Sequence, residues 1–587
     1  MIKKIFSILI FISVFIFSSF AGNDQKIYRT DSQEKQAIDL LAISSGTAMP
    51  SSSGPWSQAE LRLMLKQIDV NKLSTNEKNI YTSLIKKFDI EKEQRLIFLD
   101  PGISISLEFS LHSNKIDFVN PDMIASWSYL GDFNRPTPFI TIPISAYIDN
   151  SIYLFCEIDG GLNRSLISQT NSIEQGKEVS YNPLAFKTNL LFFPPSKLID
   201  FNMNFPYRGI ISAGGEHWSI SLGRENISWG PGVSGNLLLG NQIPYHNNLR
   251  FAAFSNHLKY VFSYSSFIHP DNYTYSVDGK DYINLFFNQD VPRTGTKAFI
   301  AHRGEFRNGP LAISISEAII YQSDSGSIDL SVFSPLALFH NFYTRGNANS
   351  ELSLELEYTI VPHLNIYGTI LVDEFNFPSE FSDSTAPPPA MGFQLGVKSA
   401  WVLNKSIITS SFECVYTDPY LYIRDDGSRN NSGYGINGII AFPDFINSPS
   451  TDINLANYNL QFIGYRFGND CITFNYTLGY KAYDSWSLDF TATYIIKGVK
   501  DKYTRYKLGD TSYAPSTTEG ESYLIDVAKK DAVMHVLSLS LDARYYFNSN
   551  VFVKAKLTSV TIFNYNNSSA GGTKEDIQLA LGISFML

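Results

Sequence analysis

The last residues of the chain, Ile577-Gln-Leu-Ala-Leu-Gly-Ile-Ser-Phe-Met-Leu587, place an apolar side chain at every second position. Ile577, Leu579, Leu581, Ile583, Phe585 and Leu587 share one phase, and Gln578, Ala580, Gly582, Ser584 and Met586 share the other. Successive side chains of a strand point to opposite faces, so this period gives one apolar face and one wet face. The pattern recurs upstream. Ile103, Ile105, Leu107, Phe109 and Leu111 alternate with Ser104, Ser106, Glu108, Ser110 and His112. Leu352, Leu354, Leu356, Tyr358 and Ile360 alternate with Ser353, Glu355, Glu357 and Thr359, and Trp486, Leu488, Phe490, Ala492 and Tyr494 with Ser487, Asp489, Thr491 and Thr493. A soluble sandwich would need a second sheet over each apolar face. Runs of about nine to twelve residues instead suit strands that cross an outer membrane at a tilt. Trp486 and Tyr494 bracket their strand as interfacial aromatics do. The expected fold is all-β: a transmembrane antiparallel β-barrel over residues 96–587, with the last strand closing on the first.

Composition supports a single closed sheet. The 587 residues include 34 Tyr and 43 Phe but only 17% charged residues, a mix suited to many half-buried strands. No linker divides the chain, and no second apolar run after the N-terminus is long enough for a membrane helix. Three scattered cysteines (Cys156, Cys414, Cys471) make neither a disulfide framework nor a metal site, and no cofactor is expected. A net charge of −10 argues against nucleic acid as a partner.

The first residues read as a secretory signal, 1–21: Lys3 and Lys4, an apolar run Ile5 to Phe17, and the small-x-small site Ser19-Phe20-Ala21. Residues 22–95 then carry a different period. Ser57-Gln-Ala-Glu60 and Ser74-Thr-Asn-Glu77 are capping-box patterns. The first precedes Leu61, Met64, Leu65 and Ile68, and the second precedes Ile80, Tyr81, Leu84, Ile85 and Phe88. A weaker stripe, Ala37, Leu40 and Leu41, lies before both. This predicts a small helical periplasmic domain of two or three helices.

Loop lengths test the barrel independently. Counting back from a periplasmic C-terminus, connections should alternate long outside and short inside. Asn564–Lys574, Val499–Ala532, Asp418–Tyr434 and Asn376–Ala390 are long, while Asn548–Asn550, Ala482–Asp484, Asn404–Lys405 and Val361–Pro362 are short. Val499–Ala532 is expected to be the largest surface loop. Phe442–Leu455 breaks the alternation, being long on the inner side. It either touches the helices or marks a miscounted strand. The count is about 18 strands.

The most distinctive stretch is Ser221-Leu-Gly223-Arg224-Glu-Asn-Ile-Ser-Trp229-Gly230-Pro231-Gly232, continuing to Leu237-Leu-Leu-Gly and Pro244. A Trp-Gly-Pro-Gly turn is neither helix nor central strand. This stretch resembles the Wzi family of outer-membrane capsule-assembly proteins. Ala301-His302-Arg303-Gly-Glu305 is similar to that family's His-Arg strand, and Ile315-Ser316-Glu317 to its Ser-Glu strand. Pro335, Phe339-His340-Asn341, Asn347, Tyr367-Gly368 and Asp373-Glu374 follow in the family's order. The resemblance runs roughly from Pro206 to Phe375. It implies a helical bundle at the base of the barrel and a lectin-like, non-enzymatic role in holding exported capsular polysaccharide. Its partners would be the outer-membrane bilayer, a surface polysaccharide and, as a further candidate, the export machinery.

Each motif has two readings. Trp-Gly-Pro-Gly is a structural turn or a sugar platform, and turn chemistry favours the first. Arg224 is in phase with Trp218, Ile220 and Leu222, which puts it beyond the apolar band. Arg303 and Glu305 share a strand face and point into the lumen, either toward a glycan or as a buried ion pair fixing the interior. Glu317 is in phase with lipid-facing Ile313 and Ile315, a costly placement away from an interface. Asp373 is in phase with Asn365, Tyr367 and Thr369 and reads as lumenal. The glycan candidates are Arg303, Glu305, Tyr367 and Asp373. No Gly-x-Ser-x-Gly, His-Glu-x-x-His or Walker pattern occurs. A polysaccharide-binding barrel, a pore and a barrel enzyme are the competing functions, and the first two separate on whether the lumen is open.

The alternation makes a direct prediction. The purified protein should show a β-dominated circular dichroism spectrum and heat-modifiable migration in detergent gels. Deleting Asp576–Leu587 should abolish membrane insertion, because the first strand would lose the edge it pairs with. Insertion at the level of the full chain would refute the closing role of this strand.

Overall fold

The computed structural model describes residues 23–88, 97–113, 137–161, 164–165, 185–189, 202–243, 245–267, 274–277, 280–283, 296–323, 329–334, 338–339, 348–375, 388–404, 406–423, 437–443, 458–482, 485–502, 504, 515–516 and 530–586. The signal reading of 1–21 and His340 lie outside them.

Three helices come first: α1 (Gln33–Ser45), α2 (Gln58–Lys66) and α3 (Thr75–Phe88). Both capping boxes form. Ser57 accepts from the Glu60 amide while Glu60 accepts from the Ser57 amide, and Ser74 and Glu77 do the same. Ile38, Leu41, Leu61, Leu65, Leu84 and Phe88 close a small core among them. The sheet follows. Its wall strands are β1 (Ile97–Pro101 continuing as Ser104–His112), β2 (Ile140–Ile148), β3 (Ile152–Gly161), β4 (Asn202–Gly215), β5 (Trp218–Glu225) and β6 (His246–Phe254). Next come β7 (Leu258–Phe267), β8 (Thr296–Asn308), β9 (Leu311–Ser323), β10 (Ala348–Val361), β11 (Leu364–Glu374) and β12 (Ala390–Leu403). The wall is completed by β13 (Ser406–Thr417), β14 (Cys471–Ala482), β15 (Trp486–Lys497), β16 (Met534–Tyr546), β17 (Val551–Phe563) and β18 (Thr573–Met586).

Every neighbouring pair is antiparallel and the ring closes. β18 pairs with β1 from Leu579↔Leu111 to Met586↔Ser104, and β4 bridges β3 to β5. The result is an 18-strand barrel with a few N-terminal helices, as expected. The first described wall strand begins at Ile97, ahead of the alternation that opens at Ile103.

The sheet is inverted relative to a soluble protein. Along β10, Leu352, Leu354, Leu356, Tyr358 and Ile360 are exposed, while Glu351, Ser353, Glu355, Glu357 and Thr359 are buried. An apolar face open to the surroundings is stable only in lipid, so this wall belongs in a bilayer.

The two ends differ. At the short-turn end the helices sit against the turns. The His363 amide donates to Ile43 O (2.8 Å) and the Ala48 amide to Gly309 O (2.7 Å). At the other end the connections are long. Of the two readings of Phe442–Leu455, most of which lies outside the described residues, the miscounted strand is the one the strand pairing supports. β13 pairs directly with β14, and in the chain joining them Ile439–Pro443 pairs with Tyr458–Phe462. The second segment, Tyr458-Asn-Leu-Gln-Phe462, alternates as a wall strand does, which is why it was counted as wall. The 418–470 connection is also longer than Val499–Ala532.

The lumen is filled. Residues 226–243 enter it from the long-loop end, and Trp229, Leu237, Leu238 and Leu239 pack with Tyr422 and Tyr465 from the 418–470 connection. Inward Ala252, Ala301 and Ala318 on β6, β8 and β9 face this cluster and give it room. Interiors packed to crystal density resist added volume. Ala301→Phe should therefore displace the cluster, costing about 1–3 kcal/mol by overpacking. Chymotrypsin should then cut between residues 226 and 245 in the variant and leave wild type intact. Equal protection in both would mean that the cluster is not tightly packed.

Candidate functional site

The chain around Ser51-Ser52-Ser53-Gly54 has small side chains and free hydroxyls, so its backbone can lie close to a wall. It enters the lumen from the short-turn end and meets the Trp-Gly-Pro-Gly loop arriving from the other. Ser53 pairs with Trp229 and Gly54 with Ser228. The Gly230 amide donates to Ser52 O (3.2 Å). Trp229 is completely buried.

Charged side chains on the lumenal faces of β6 to β10 hold this segment. Ser51 and Ser53 hydroxyls donate to Glu305 Oε1 (3.1 and 2.6 Å). Arg303 Nε donates to the same oxygen (2.8 Å), and the Arg307 guanidinium donates to Glu305 Oε2. Arg303 Nη2 reaches Ser52 Oγ (2.8 Å) and Glu355 Oε2 (2.7 Å), and its Nη1 reaches Ser316 Oγ (3.2 Å). Lys259 Nζ donates to Ser51 Oγ (2.8 Å) and Ser53 O (3.1 Å). Deeper along α2, Arg250 Nη2 donates to Glu60 Oε1 (2.9 Å), so the capping-box Glu60 also docks its helix to the wall. Charge-assisted bonds of this kind are the stronger class, and inside a dry lumen each charge depends on its partner.

A second hub is Glu413 on β13, fully buried. It accepts from the Val233 amide (2.8 Å), the Ser234 amide (3.0 Å), the Ser234 hydroxyl and the Tyr367 hydroxyl. Gln394 Nε2 donates to Gly235 O (2.8 Å) and Lys398 Nζ to Pro231 O. Lys398 Nζ also lies 4.6 Å from the centre of the Tyr367 ring. Further along the loop, the Tyr422 hydroxyl donates to Leu237 O. Gly464 is required there, since a Cβ would fall 2.1 Å from Leu237 O. Burial holds the Tyr422 and Tyr465 phenols well above their usual range, so both stay neutral hydrogen-bonding groups.

The structure thus brings Arg303, Glu305 and Tyr367 together with Trp229, Gly230, Pro231 and Gly232 in one plug assembly. The polar atoms of Arg303 and Glu305 are taken up by protein partners, and the Tyr367 ring is buried rather than presented. Asp373 stands apart, near the long-loop end of β11, where Asn349 Nδ2 donates to its Oδ1 (2.7 Å). Arg224 faces outward. Its Nε donates to Asn247 Oδ1 (3.1 Å) and its guanidinium lies 4.3 Å from the Tyr245 ring centre. Gly223 carries φ 154°, and a Cβ there would lie 2.1 Å from Gly209 O. His302 and Glu317 meet on the outer face, Nε2 to Oε2 3.2 Å. Sequence reasoning missed Glu413, Glu355, Arg250 and Lys398, which read as ordinary inward polar residues. The spacing Arg303-x-Glu305-x-Arg307 was the available signal for the ladder.

No family model matches the sequence, and no curated protein matches it. Solved structures do match. The structure of Wzi from Escherichia coli superposes with TM-score 0.54 over 96% of this chain and 99% of that one, at 12% identity. The chain has the Wzi barrel fold. That protein is described as an outer-membrane carbohydrate-binding β-barrel involved in group 1 capsule assembly. OccAB4 from Acinetobacter baumannii aligns over 83% of this chain and 98% of its own at TM-score 0.38 and 8% identity. OccK8 (OprE) from Pseudomonas aeruginosa covers the same shares at TM-score 0.37 and 8% identity. The chain therefore has the fold of an outer-membrane β-barrel, and the likeness to Wzi covers 96% of it.

The ion ladder of this Wzi-like barrel can be measured. Arg303→Met leaves Glu305 and Glu355 short of a buried cation and should cost about 3–5 kcal/mol. Adding Glu355→Gln should recover part of that loss in urea unfolding from lipid vesicles. Additive losses in the double variant would show that the two groups do not interact.

Proposed function

We propose that this barrel holds an exported surface polysaccharide at the outer membrane and does not cleave it. The short-turn end, with α1 to α3, faces the periplasm and is the surface that export machinery would meet. The long-loop end faces outward and contacts the glycan. The observation that carries this reading is the filled lumen. A wall of 18 strands is wide enough for an aqueous channel, yet among the described residues an apolar cluster and a charged plug occupy it. A pore needs that space open, whereas a surface-binding barrel does not. The shared fold of Wzi, itself described as carbohydrate-binding, supports the same choice.

Within this reading the four glycan candidates divide. Arg303, Glu305 and Tyr367 act by holding the plug and the Trp-Gly-Pro-Gly loop, on which the outer connections rest. Asp373, toward the outer rim but itself buried and bonded to Asn349, is the remaining candidate for a sugar contact. Single sugar contacts are weak, but a repeating polymer engages many at once.

Cells lacking the protein should shed their surface glycan into the medium at unchanged polymer length. Asp373→Lys should weaken retention while the barrel stays heat-modifiable. An unchanged coat in cells without the protein would overturn the proposal, and a shift in polymer length would point to turnover.

A further inference from the structure

The connection from β9 to β10 leaves and re-enters the wall at the long-loop end. Its described residues nevertheless lie on the outside of the barrel. Val332 and Phe339 are fully buried against Phe262, Ile300, Ile319 and Tyr321. The Phe333 ring centre lies 5.9 Å from Phe262 and 5.2 Å from Tyr264. Those wall residues share the outward phase, because the register runs Phe262↔His302, His302↔Glu317 and Glu317↔Leu352. One step down the same strands, Phe306, Ile315 and Leu354 are bare, as lipid-facing residues are. Residues 329–334 and 338–339 therefore lie as a flap over the edge of the apolar band.

The flap resolves the cost of Glu317. His302 and Glu317 are a polar pair on the lipid-facing side, an expensive location if uncovered. Phe339 packs edge-on against His302, centroids 4.8 Å apart, and keeps the pair out of hydrocarbon. The flap's own outer surface is also apolar. Leu330 is 79% exposed and Leu338 65%. Among the described residues, every other exposed large hydrophobic lies on a wall strand or directly follows one, as Phe375 and Phe547 do. On the wall, exposed large apolar side chains mark the face that meets lipid, and Leu330 and Leu338 continue that surface.

We infer that the stretches 329–334 and 338–339 are the described parts of a membrane-seated flap, with Leu330 and Leu338 inserted among the acyl chains of the leaflet at the long-loop end. The flap is a lipid-binding surface, separate from the glycan reading. Its function is to anchor the outer rim of β7 to β10 in the bilayer and to shield His302 and Glu317.

Environment-sensitive fluorescence tests this. In full-length protein with its three cysteines replaced by alanine, Leu330→Cys and Leu338→Cys are labelled with a nitrobenzoxadiazole dye and reconstituted in phospholipid vesicles. Leu354→Cys on the wall reports lipid, and Ala570→Cys, in the exposed β17–β18 loop, reports water. Heat-modifiable migration confirms that each labelled protein is folded. The proposal expects both flap positions to match Leu354→Cys, with blue-shifted emission quenched by brominated lipid and insensitive to iodide. Emission like Ala570→Cys, quenched by iodide, overturns it. Blue-shifted emission quenched by neither agent also overturns it, since protein rather than lipid would then cover the flap.

Discussion

The Glu305 side chain is fully buried inside a membrane barrel, and it is held there by Arg303, Arg307 and two serine hydroxyls of the N-terminal segment. Much else follows from that arrangement. A carboxylate without these partners would carry a desolvation cost of several kcal/mol. The plug therefore cannot leave without stranding charge on the wall, and the wall cannot keep its charges without the plug. Wall and N-terminal segment are one structure, though the chain reads as helices followed by a barrel.

The same reciprocity governs the loop that enters from the opposite end. Its glycines let the backbone approach other backbone closely. Its open amides find Glu413, and its leucines find the room left by inward alanines. Trp229 then pairs with Ser53, so segments from both mouths join by main-chain hydrogen bonds inside the lumen. A route thus runs through packed and hydrogen-bonded groups from the long-loop end to the helices.

The wall was legible because its signal is local. Alternation and the two capping boxes can be read within a dozen residues, and both describe what forms. The interior was not legible, because its contacts join distant parts of the chain. Ser53 meets Glu305 across 252 positions and Ser234 meets Glu413 across 179. No short window contains either pair. The pair of short segments Ile439–Pro443 and Tyr458–Phe462 misled for a related reason: the second alternates as wall strands do, yet both pack inside. Glu317 looked misplaced since neither its partner His302 nor its cover Phe339 is adjacent in sequence. Arg303 and Glu305 were read as lumenal with both a glycan and an ion-pair reading open, and their geometry is that of the ion pair.

The central claim is that the barrel is closed from within. The most direct measurement is the conductance of the wild-type protein in planar bilayers. A barrel held shut by the plug and the lumenal core inserts without a steady current, or with rare brief openings. A large, steady conductance per inserted molecule would contradict the account and restore the channel reading.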